Sequence, residues 1–274
     1  MHTDDRRGWL EVEGAGLEYA WFGPRSSDGP TLVLLHEGLG CVALWKDFPE
    51  RLAETTGLGV MAYSRRGYGG SDPVEVPRPL TYMHDEGLEV LPRALDAAGI
   101  QDVILVGHSD GASIALINAG GVRDPRVRGL VLMAPHVFNE ELSVRSIREA
   151  KEAYENGSLR EQLARYHGDN VDSAFLGWNR AWLDPGFLDW NIEEFLRDIQ
   201  VPCLLIQGED DQYGTVKQVE AIQRQVSGPT ELLMLPACRH SPQRDQPGRT
   251  LEAIARFTDR FVEPGPSTSR EASR

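Results

Sequence analysis

Short apolar runs alternate with segments of helical periodicity along most of the chain. Several runs are apolar at successive positions, which is typical of buried parallel strands. Between them, apolar residues recur at intervals of three and four, as in helices. The runs are residues 17–22, 31–36, 59–63, 102–107, 129–134, 202–207 and 231–235. This alternation predicts an α/β fold built from crossover units on a mostly parallel sheet.

Composition narrows the possible partners. The chain has 274 residues and a formal net charge of -14, which argues against binding to nucleic acid or anionic membranes. No apolar run reaches membrane-spanning length, and residues 1–10 are charged and lack the apolar core of a secretory signal. Three cysteines without a close pair predict neither a disulfide framework nor a zinc site. We therefore expect a cytoplasmic protein with reduced thiols.

The domain organisation follows from one interruption of the alternation. Residues 136–199 have helical patterns but no convincing strand, so we expect a helical cap inserted between core segments 1–135 and 200–262. Residues 263–274 are rich in Pro, Gly and Ser and are expected to be a disordered tail. His136 and the cap residue Trp178 are candidates for binding substrate. A helical layer packing on itself explains the cap aromatics equally well.

The motif with the clearest chemical meaning is Gly107-His108-Ser109-Asp110-Gly111, between a strand candidate and a helix of small residues. Glycines at both ends allow a tight turn and a close approach of strand and helix. Such a turn exposes the Ser109 hydroxyl as a nucleophile at the positive end of the helix dipole. The bare pattern arises by chance in roughly 0.15 of chains of this composition, so its strand and helix context carries the prediction.

A serine nucleophile needs a base and an orienting acid from loops after later strands, in the order serine, acid, histidine. His240 follows the last strand candidate, whereas His36, His136 and His167 could line a pocket without acting as the base. The acid is expected in the turn Gly208-Glu209-Asp210-Asp211, where a surface acidic turn is the alternative.

The oxyanion hole is expected to combine two backbone N–H groups. One belongs to Asp110, the residue after the nucleophile. The other comes from the loop at residues 36–40, which reads HEGLG. Gly38 is the first choice because a glycine lets the backbone turn its N–H towards the substrate oxygen. Leu39 is the alternative.

The chain resembles the α/β-hydrolase superfamily from about residue 17 to residue 262. Five landmarks carry this resemblance in order: HEGLG at 36–40, SRRGYGGSD at 64–72, the GHSDG elbow, GEDD at 208–211 and RHSP at 239–242. It implies the α/β-hydrolase fold, with an eight-stranded, mostly parallel sheet, helices on both faces and an inserted helical cap. The spacing from Gly208 in that family favours Asp211 as the acid.

Within the superfamily, the Ser-Asp-Gly elbow and the Arg-Gly-Tyr-Gly turn look most like the biphenyl hydrolase-like group, which includes α-amino acid ester hydrolases. The resemblance implies that Asp110, joined by Glu37, holds a substrate amino group. The alternative is that Asp110 opens a helix, where a carboxylate is favoured by about 0.3–1 kcal/mol without touching substrate.

Two positions depart from the family pattern. Glu37 stands where the family usually has glycine, and Gly214 with Thr215 replaces a proline often found after the acid turn. A carboxylate so close to the oxyanion hole opposes a developing oxyanion unless it is turned away, hydrogen-bonded or protonated. Glu37 therefore bears directly on the acyl-transfer prediction.

The leading function is a serine hydrolase that cleaves small carboxylic esters through Ser109, His240 and Asp211 and an acyl-enzyme. The alternatives are other chemistry on the same fold (a carbon-carbon hydrolase, a lyase or a cofactor-free oxygenase) and a ligand-binding module with little turnover. No metal-ligand spacing, phosphate loop or dinucleotide fingerprint is present, so no metal or cofactor is predicted. The expected partner is a small-molecule substrate, and the oligomeric state stays open.

Overall fold

The computed structural model describes residues 6–25 and 29–262, so the expected tail at 263–274 lies outside them. The strands are β1 (Arg7–Val12), β2 (Ala15–Phe22), β3 (Thr31–Leu35), β4 (Val60–Tyr63), β5 (Val103–His108), β6 (Val127–Met133), β7 (Cys203–Gly208) and β8 (Thr230–Leu235). They form one sheet in the order β1-β2-β4-β3-β5-β6-β7-β8. β1 and β2 run antiparallel to their neighbours, and the remaining strands pair in parallel. The predicted α/β-hydrolase fold with a mostly parallel eight-stranded sheet is confirmed.

The helices lie between and beyond these strands. They are α1 (Phe48–Thr56), α2 (Tyr82–Asp85), α3 (Leu91–Ala97), α4 (Asp110–Ile117), α5 (Glu141–Asn156), α6 (Leu159–His167), α7 (Val171–Leu183), α8 (Val216–Gln225), α9 (Pro242–Asp245) and α10 (Pro247–Thr258). A π-helical turn, Glu86–Val90, joins α2 to α3 directly before Pro92. Because proline lacks an N–H, a change in the hydrogen-bonding pattern is expected beside it.

Two apolar cores lie on the two faces of the sheet. On β5, Ile104 and Val106 belong to one core, and Val103 and Leu105 belong to the other. This division follows from the alternation of side chains along a strand. Helices α1 and α10 contribute to the first core, and α3, α4 and α8 contribute to the second. Strands covered on both faces explain the continuous apolar runs of the sequence.

Residues 136–199 connect β6 to β7 and contain α5, α6 and α7 but no named strand. A single bridge between Phe138 and Asn191 is their only β pairing among the described residues. Tyr154 stacks on Phe175 with ring centroids 3.7 Å apart, which buries both rings within this helical layer. Much of the aromatic content of residues 136–199 therefore serves packing.

Strand β1 has no counterpart in the seven sequence-based runs. Trp9 and Glu11 alternate with the buried Leu10 and Val12, so the segment is half-buried rather than apolar throughout. Among the described residues, no helix is both long enough and apolar enough to cross a membrane.

Candidate active site

Ser109 occupies the sharp turn between β5 and α4. Its backbone has φ of 53° and ψ of -119°, a conformation that side-chain-bearing residues rarely adopt. A Cβ on Gly107 would lie 2.5 Å from Ala112 Cα, and a Cβ on Gly111 would lie 2.0 Å from the Leu35 carbonyl oxygen. Both glycines are therefore required where strand, turn and helix meet.

His240 lies on the loop after β8 and faces this turn. Its Nε2 is 2.9 Å from Ser109 Oγ, so the Ser109 hydroxyl can donate to the imidazole. The two residues are 131 positions apart in the chain. They meet because the carboxyl ends of parallel strands open onto one edge of the sheet.

Asp211 lies on the loop after β7 and forms a continuous row of contacts with His240 and Ser109. His240 Nδ1 lies 2.9 Å from both carboxylate oxygens of Asp211. The carboxylate also accepts from the Tyr213 N–H at 2.8 Å, the Gly214 N–H at 3.2 Å and the Gln207 side-chain amide at 2.8 Å. Burial opposes ionisation, but His240 and these donors hold the pKa of Asp211 below its ordinary value. Gly214, where the family often has a proline, thus supplies an N–H donor that proline lacks.

The two expected oxyanion donors, Asp110 and Gly38, border the same cavity as Ser109. Asp110 opens α4, where the first N–H groups of a helix have no intrahelical acceptor. Gly38 lines the same cavity on the loop after β3. Arg65 is buried and donates to the carbonyl oxygens of His36 at 2.5 Å and Glu37 at 3.0 Å. Arg65 therefore fixes the loop that presents Gly38.

Glu37 turns its carboxylate back over Gly40 and towards His108. Its Oε2 lies 3.4 Å from His108 Nδ1, and its side chain is 29% exposed into the cavity. Burial opposes the charge, but the hydrogen bond and attraction from His108 lower the pKa of Glu37 to about 2. Burial likewise opposes a charge on His108, and Glu37 outweighs it, which raises the pKa of His108. Glu37 is thus paired with His108 at ion-pair distance rather than standing alone beside the expected oxyanion hole.

The side chain of Asp110 points away from solvent. It is 0% exposed, and its Oδ2 accepts from the Tyr82 hydroxyl at 2.5 Å. The Trp182 indole N–H donates to the same hydroxyl at 3.0 Å. Burial raises the pKa of Asp110 above its ordinary value, against the opposing attraction of Arg65.

The cavity above Ser109 measures about 220 Å³. Its apolar walls come from the loop after β3 and from α5, α6 and α7; its lining includes Leu39, Leu44, Ile147, Leu163, Trp178 and Trp182. Of the aromatic residues in α5–α7, Trp178 and Trp182 line the cavity, whereas Tyr154, Tyr166 and Phe175 do not. The helical segment therefore contributes two tryptophans to the wall of this cavity.

His136 also borders the cavity, with its ring centroid 5.6 Å from that of His240. It is buried, and its Nδ1 has no hydrogen-bond partner in the described part of the chain. Burial, followed by repulsion from His240, lowers the pKa of His136 to about 3. The imidazole is thus neutral near pH 7, with unused hydrogen-bonding capacity.

Sequence reasoning missed three residues that organise the site. Gln207 orients Asp211, Arg65 anchors the loop after β3, and Gln243 places its amide 3.0 Å from His108 Nδ1. Arg65 lies inside the quoted SRRGYGGSD landmark, so it could have been noticed as a charge in a buried turn. Gln207 and Gln243 carry no comparable local signal.

The comparisons with known proteins agree with this architecture. Residues 32–253 match the alpha/beta hydrolase family. The chain therefore belongs to this family of hydrolases, and esterases and epoxide hydrolases are among its relatives. Epoxide hydrolase 3 of Xenopus tropicalis is 22% identical over 92% of this chain and 77% of its own length. The bifunctional esterase/perhydrolase DCH of Acinetobacter calcoaceticus is 25% identical over 73% and 80%, respectively.

Solved structures show the same fold. A thermophilic esterase from Thermogutta terrifontis has a TM-score of 0.69 at 19% identity, covering 93% of this chain and 99% of that one. VinJ has a TM-score of 0.70 at 21% identity, covering 93% and 99%. Because these identities are low, the likeness shows a shared fold and nothing about activity or substrate.

Proposed function

We propose that the protein is a cofactor-free serine hydrolase that cleaves small carboxylic esters through an acyl-enzyme. The observation that carries this proposal is the continuous row Asp211–His240–Ser109, with 2.9 Å at each junction. With Nδ1–H donated to Asp211, the Nε2 lone pair of His240 faces the Ser109 hydroxyl. That tautomer is the one a general base requires.

In the proposed reaction, Ser109 Oγ attacks the ester carbonyl carbon and its proton passes to His240 Nε2. The negative charge that develops on the carbonyl oxygen is stabilised by the N–H groups of Asp110 and Gly38. The resulting imidazolium gives its proton to the departing alcohol, which leaves Ser109 acylated. Water, deprotonated by His240, then attacks the acyl carbon and releases the acid.

The size of the cavity supports a small substrate. A volume of about 220 Å³ lies below the roughly 300 Å³ where ligand pockets usually begin. Trp178 provides an apolar wall, and His136 offers an uncharged hydrogen-bonding group. We assign both to substrate binding. They favour short esters that carry one further polar atom.

Asp110 acts through its amide in this proposal. Its carboxylate is buried and bound by Tyr82, and the Glu37 carboxylate is paired with His108. The amino-group recognition implied by the biphenyl hydrolase-like resemblance therefore has weaker support than recognition of a neutral ester. Hydrolysis of cationic amino esters tests whether the protein recognises a substrate amino group.

The proposal is tested by labelling with a fluorophosphonate probe and by hydrolysis of p-nitrophenyl acetate, butyrate and octanoate. We expect the probe on Ser109, a decline in kcat/KM towards octanoate, and a loss of up to about 10⁶ in turnover for Ser109→Ala. Ser158→Ala, in an exposed turn before α6, is the matched control and should keep full activity. Esterase activity retained by Ser109→Ala would refute the mechanism.

Other outcomes identify the alternatives. An unlabelled Ser109 in folded protein, with His240 still essential, would favour a lyase or oxygenase that uses His240 as a general base. Tight ligand binding with turnover below about one per minute, far under the usual enzyme median, would favour a ligand-binding module. Faster cleavage of cationic amino esters, lost on substitution of Asp110 or Glu37, would restore amino-group recognition.

Epoxide opening is the second candidate, because one relative named an epoxide hydrolase aligns with most of this chain. Attack of Ser109 on an epoxide carbon would create an ether, which activated water does not readily cleave, whereas acyl transfer creates an ester that it does. The serine therefore favours acyl substrates. Multiple turnovers of styrene oxide that are lost in Ser109→Ala would contradict this assignment.

A further inference from the structure

We propose that His108 is a positioning residue that works as an imidazolium: it neutralises Glu37 beside the oxyanion hole and holds the backbone of His240 against Ser109. The inference rests on the proposed function for its catalytic consequence. The Glu37–His108 ion pair itself is testable without it. No part of the Ser109–His240–Asp211 row requires this second pair of charges.

The geometry places His108 between the base and the carboxylate. His108 is the last residue of β5, is buried, and immediately precedes Ser109. Its Nε2 lies 2.7 Å from the carbonyl oxygen of His240, and its Nδ1 lies 3.4 Å from Glu37 Oε2. A carbonyl oxygen only accepts, so Nε2 carries a proton towards His240, and a second proton on Nδ1 would make an ion pair with the Glu37 carboxylate. A ring protonated at both nitrogens is cationic.

Gln243 provides the alternative partner for the same nitrogen. Its Nε2 lies 3.0 Å from His108 Nδ1, while its Oε1 is buried without a partner. A neutral ring would accept from this amide at Nδ1 and still donate from Nε2 to His240. A charged ring directs its Nδ1–H towards the Glu37 carboxylate, and the NH₂ group of Gln243 must then turn away from that proton. One proton on Nδ1 therefore decides whether the ring is neutral and accepts from Gln243 or is charged and pairs with Glu37.

The surroundings of His108 favour that proton. Burial and repulsion with His136 oppose it, whereas ionised Glu37, the carbonyl oxygen of His240 and ionised Asp211 favour it. His136 is neutral near pH 7 and adds no standing positive charge. The balance raises the pKa of His108, and Glu37 with its pKa of about 2 stays ionised throughout the working range.

The consequence for catalysis is electrostatic. Glu37 precedes Gly38, and its carboxylate shares the cavity in which the oxyanion develops. A lone negative charge there raises the barrier, and a cation 3.4 Å away cancels most of its field. When the pH rises through the pKa of His108, the cation is lost and Glu37 remains charged. Activity should therefore fall on the alkaline side because of this pair.

The test measures the rate of fluorophosphonate labelling of Ser109 and p-nitrophenyl acetate turnover from pH 5 to pH 10. The chains are wild type, His108→Gln, Glu37→Gln and the double variant. We expect His108→Gln to be about 10- to 100-fold slower, because it leaves Glu37 uncompensated, and the double variant to regain at least tenfold. In Glu37→Gln the alkaline decline should disappear. A double variant as slow as His108→Gln, or an unchanged decline in Glu37→Gln, would overturn the proposal.

A second measurement is independent of hydrolysis. Titration of the His108 ring by NMR should give a pKa at least one unit lower in Glu37→Gln than in wild type, because the attracting charge is gone. Glu50→Gln, exposed on α1, is the matched control and should leave the His108 titration unchanged. An unshifted His108 pKa in Glu37→Gln overturns the ion pair. An unlabelled wild-type Ser109 with a shifted His108 pKa would count against the hydrolase mechanism alone.

Discussion

The indole ring of Trp178 lies directly over Gly38. A Cβ on Gly38 would sit 2.2 Å from both Cδ1 and Nε1 of that ring, far inside van der Waals contact. Helix α7 and the loop after β3 therefore fit together only when residue 38 has no side chain. This contact joins the cavity wall, formed here by Trp178, to the proposed oxyanion donor Gly38.

Gly38→Ala should lower kcat by about 10² to 10³, because either Trp178 or the loop must move and the Gly38 N–H is then displaced from the oxyanion. The measurement is steady-state hydrolysis of p-nitrophenyl acetate alongside thermal unfolding. Gly248→Ala is the control, since a Cβ there meets nothing within 4 Å and alanine is favoured inside α10. If Gly38→Ala keeps the wild-type kcat, Gly38 is not a donor, and Leu39 takes its place in the mechanism.

Asp211→Asn should lower kcat by about 10⁴ while preserving the fold. The Tyr213 and Gly214 N–H groups donate to Oδ1, so an asparagine would keep its oxygen there and place its NH₂ group towards His240. His240 Nδ1 would then have to accept, which puts a proton on Nε2 and removes the base. Kinetics on p-nitrophenyl acetate check this, and Asp210→Asn, at an exposed neighbour, should retain activity. Loss in Asp210→Asn with activity kept in Asp211→Asn would reassign the acid.

The sequence placed Ser109, His240 and Asp211 next to the strands that position them, because order along the chain and the ends of parallel strands are local properties. Their meeting then follows from the topology of the sheet. The side chain of Asp110 was not predictable in the same way. Its burial against Tyr82 depends on α2, which is distant in the sequence.

Partnerships between distant loops were also beyond sequence reasoning. Glu37 was identified as an unusual carboxylate, yet nothing local shows that His108 pairs with it or that Gln243 competes for the same nitrogen. Such contacts depend on side-chain directions at the end of β5, in the loop after β3 and in α9. Strand β1 was not predicted for a different reason. One of its faces is exposed, so its apolar residues do not form a continuous run.

Ser109→Gly should be more stable than Ser109→Ala by about 1 kcal/mol, although both variants are inactive. The strained φ of 53° persists with alanine and is relieved by glycine, and this gain outweighs the larger entropy that glycine loses on folding. Urea unfolding of the two variants measures the difference directly. A Ser109→Gly variant that is equally or less stable than Ser109→Ala would show that the turn is not a store of strain.

His136 should make the protein lose stability as the pH falls below about 6.5. The pKa of this buried ring is about 3 in the folded protein, against 6.5 for a free histidine, so between those values the unfolded chain binds a proton that the folded chain does not. The contribution is fully present above pH 6.5 and declines by 1.36 kcal/mol per unit below it, or about 2 kcal/mol at pH 5. Burial also lowers the pKa of His36 and His167, so each adds a decline of the same sign.

His136→Gln isolates the contribution of this one ring, because glutamine does not titrate. The free energy of unfolding, measured in urea at pH 7 and pH 5, should fall by about 2 kcal/mol less in this variant than in wild type. The comparison uses the difference between two pH values, so a uniform loss of stability in the variant does not affect it. Equal declines in both proteins would mean that His136 takes up its proton in the folded state, and the neutral hydrogen-bonding role proposed for it in the cavity would then fail.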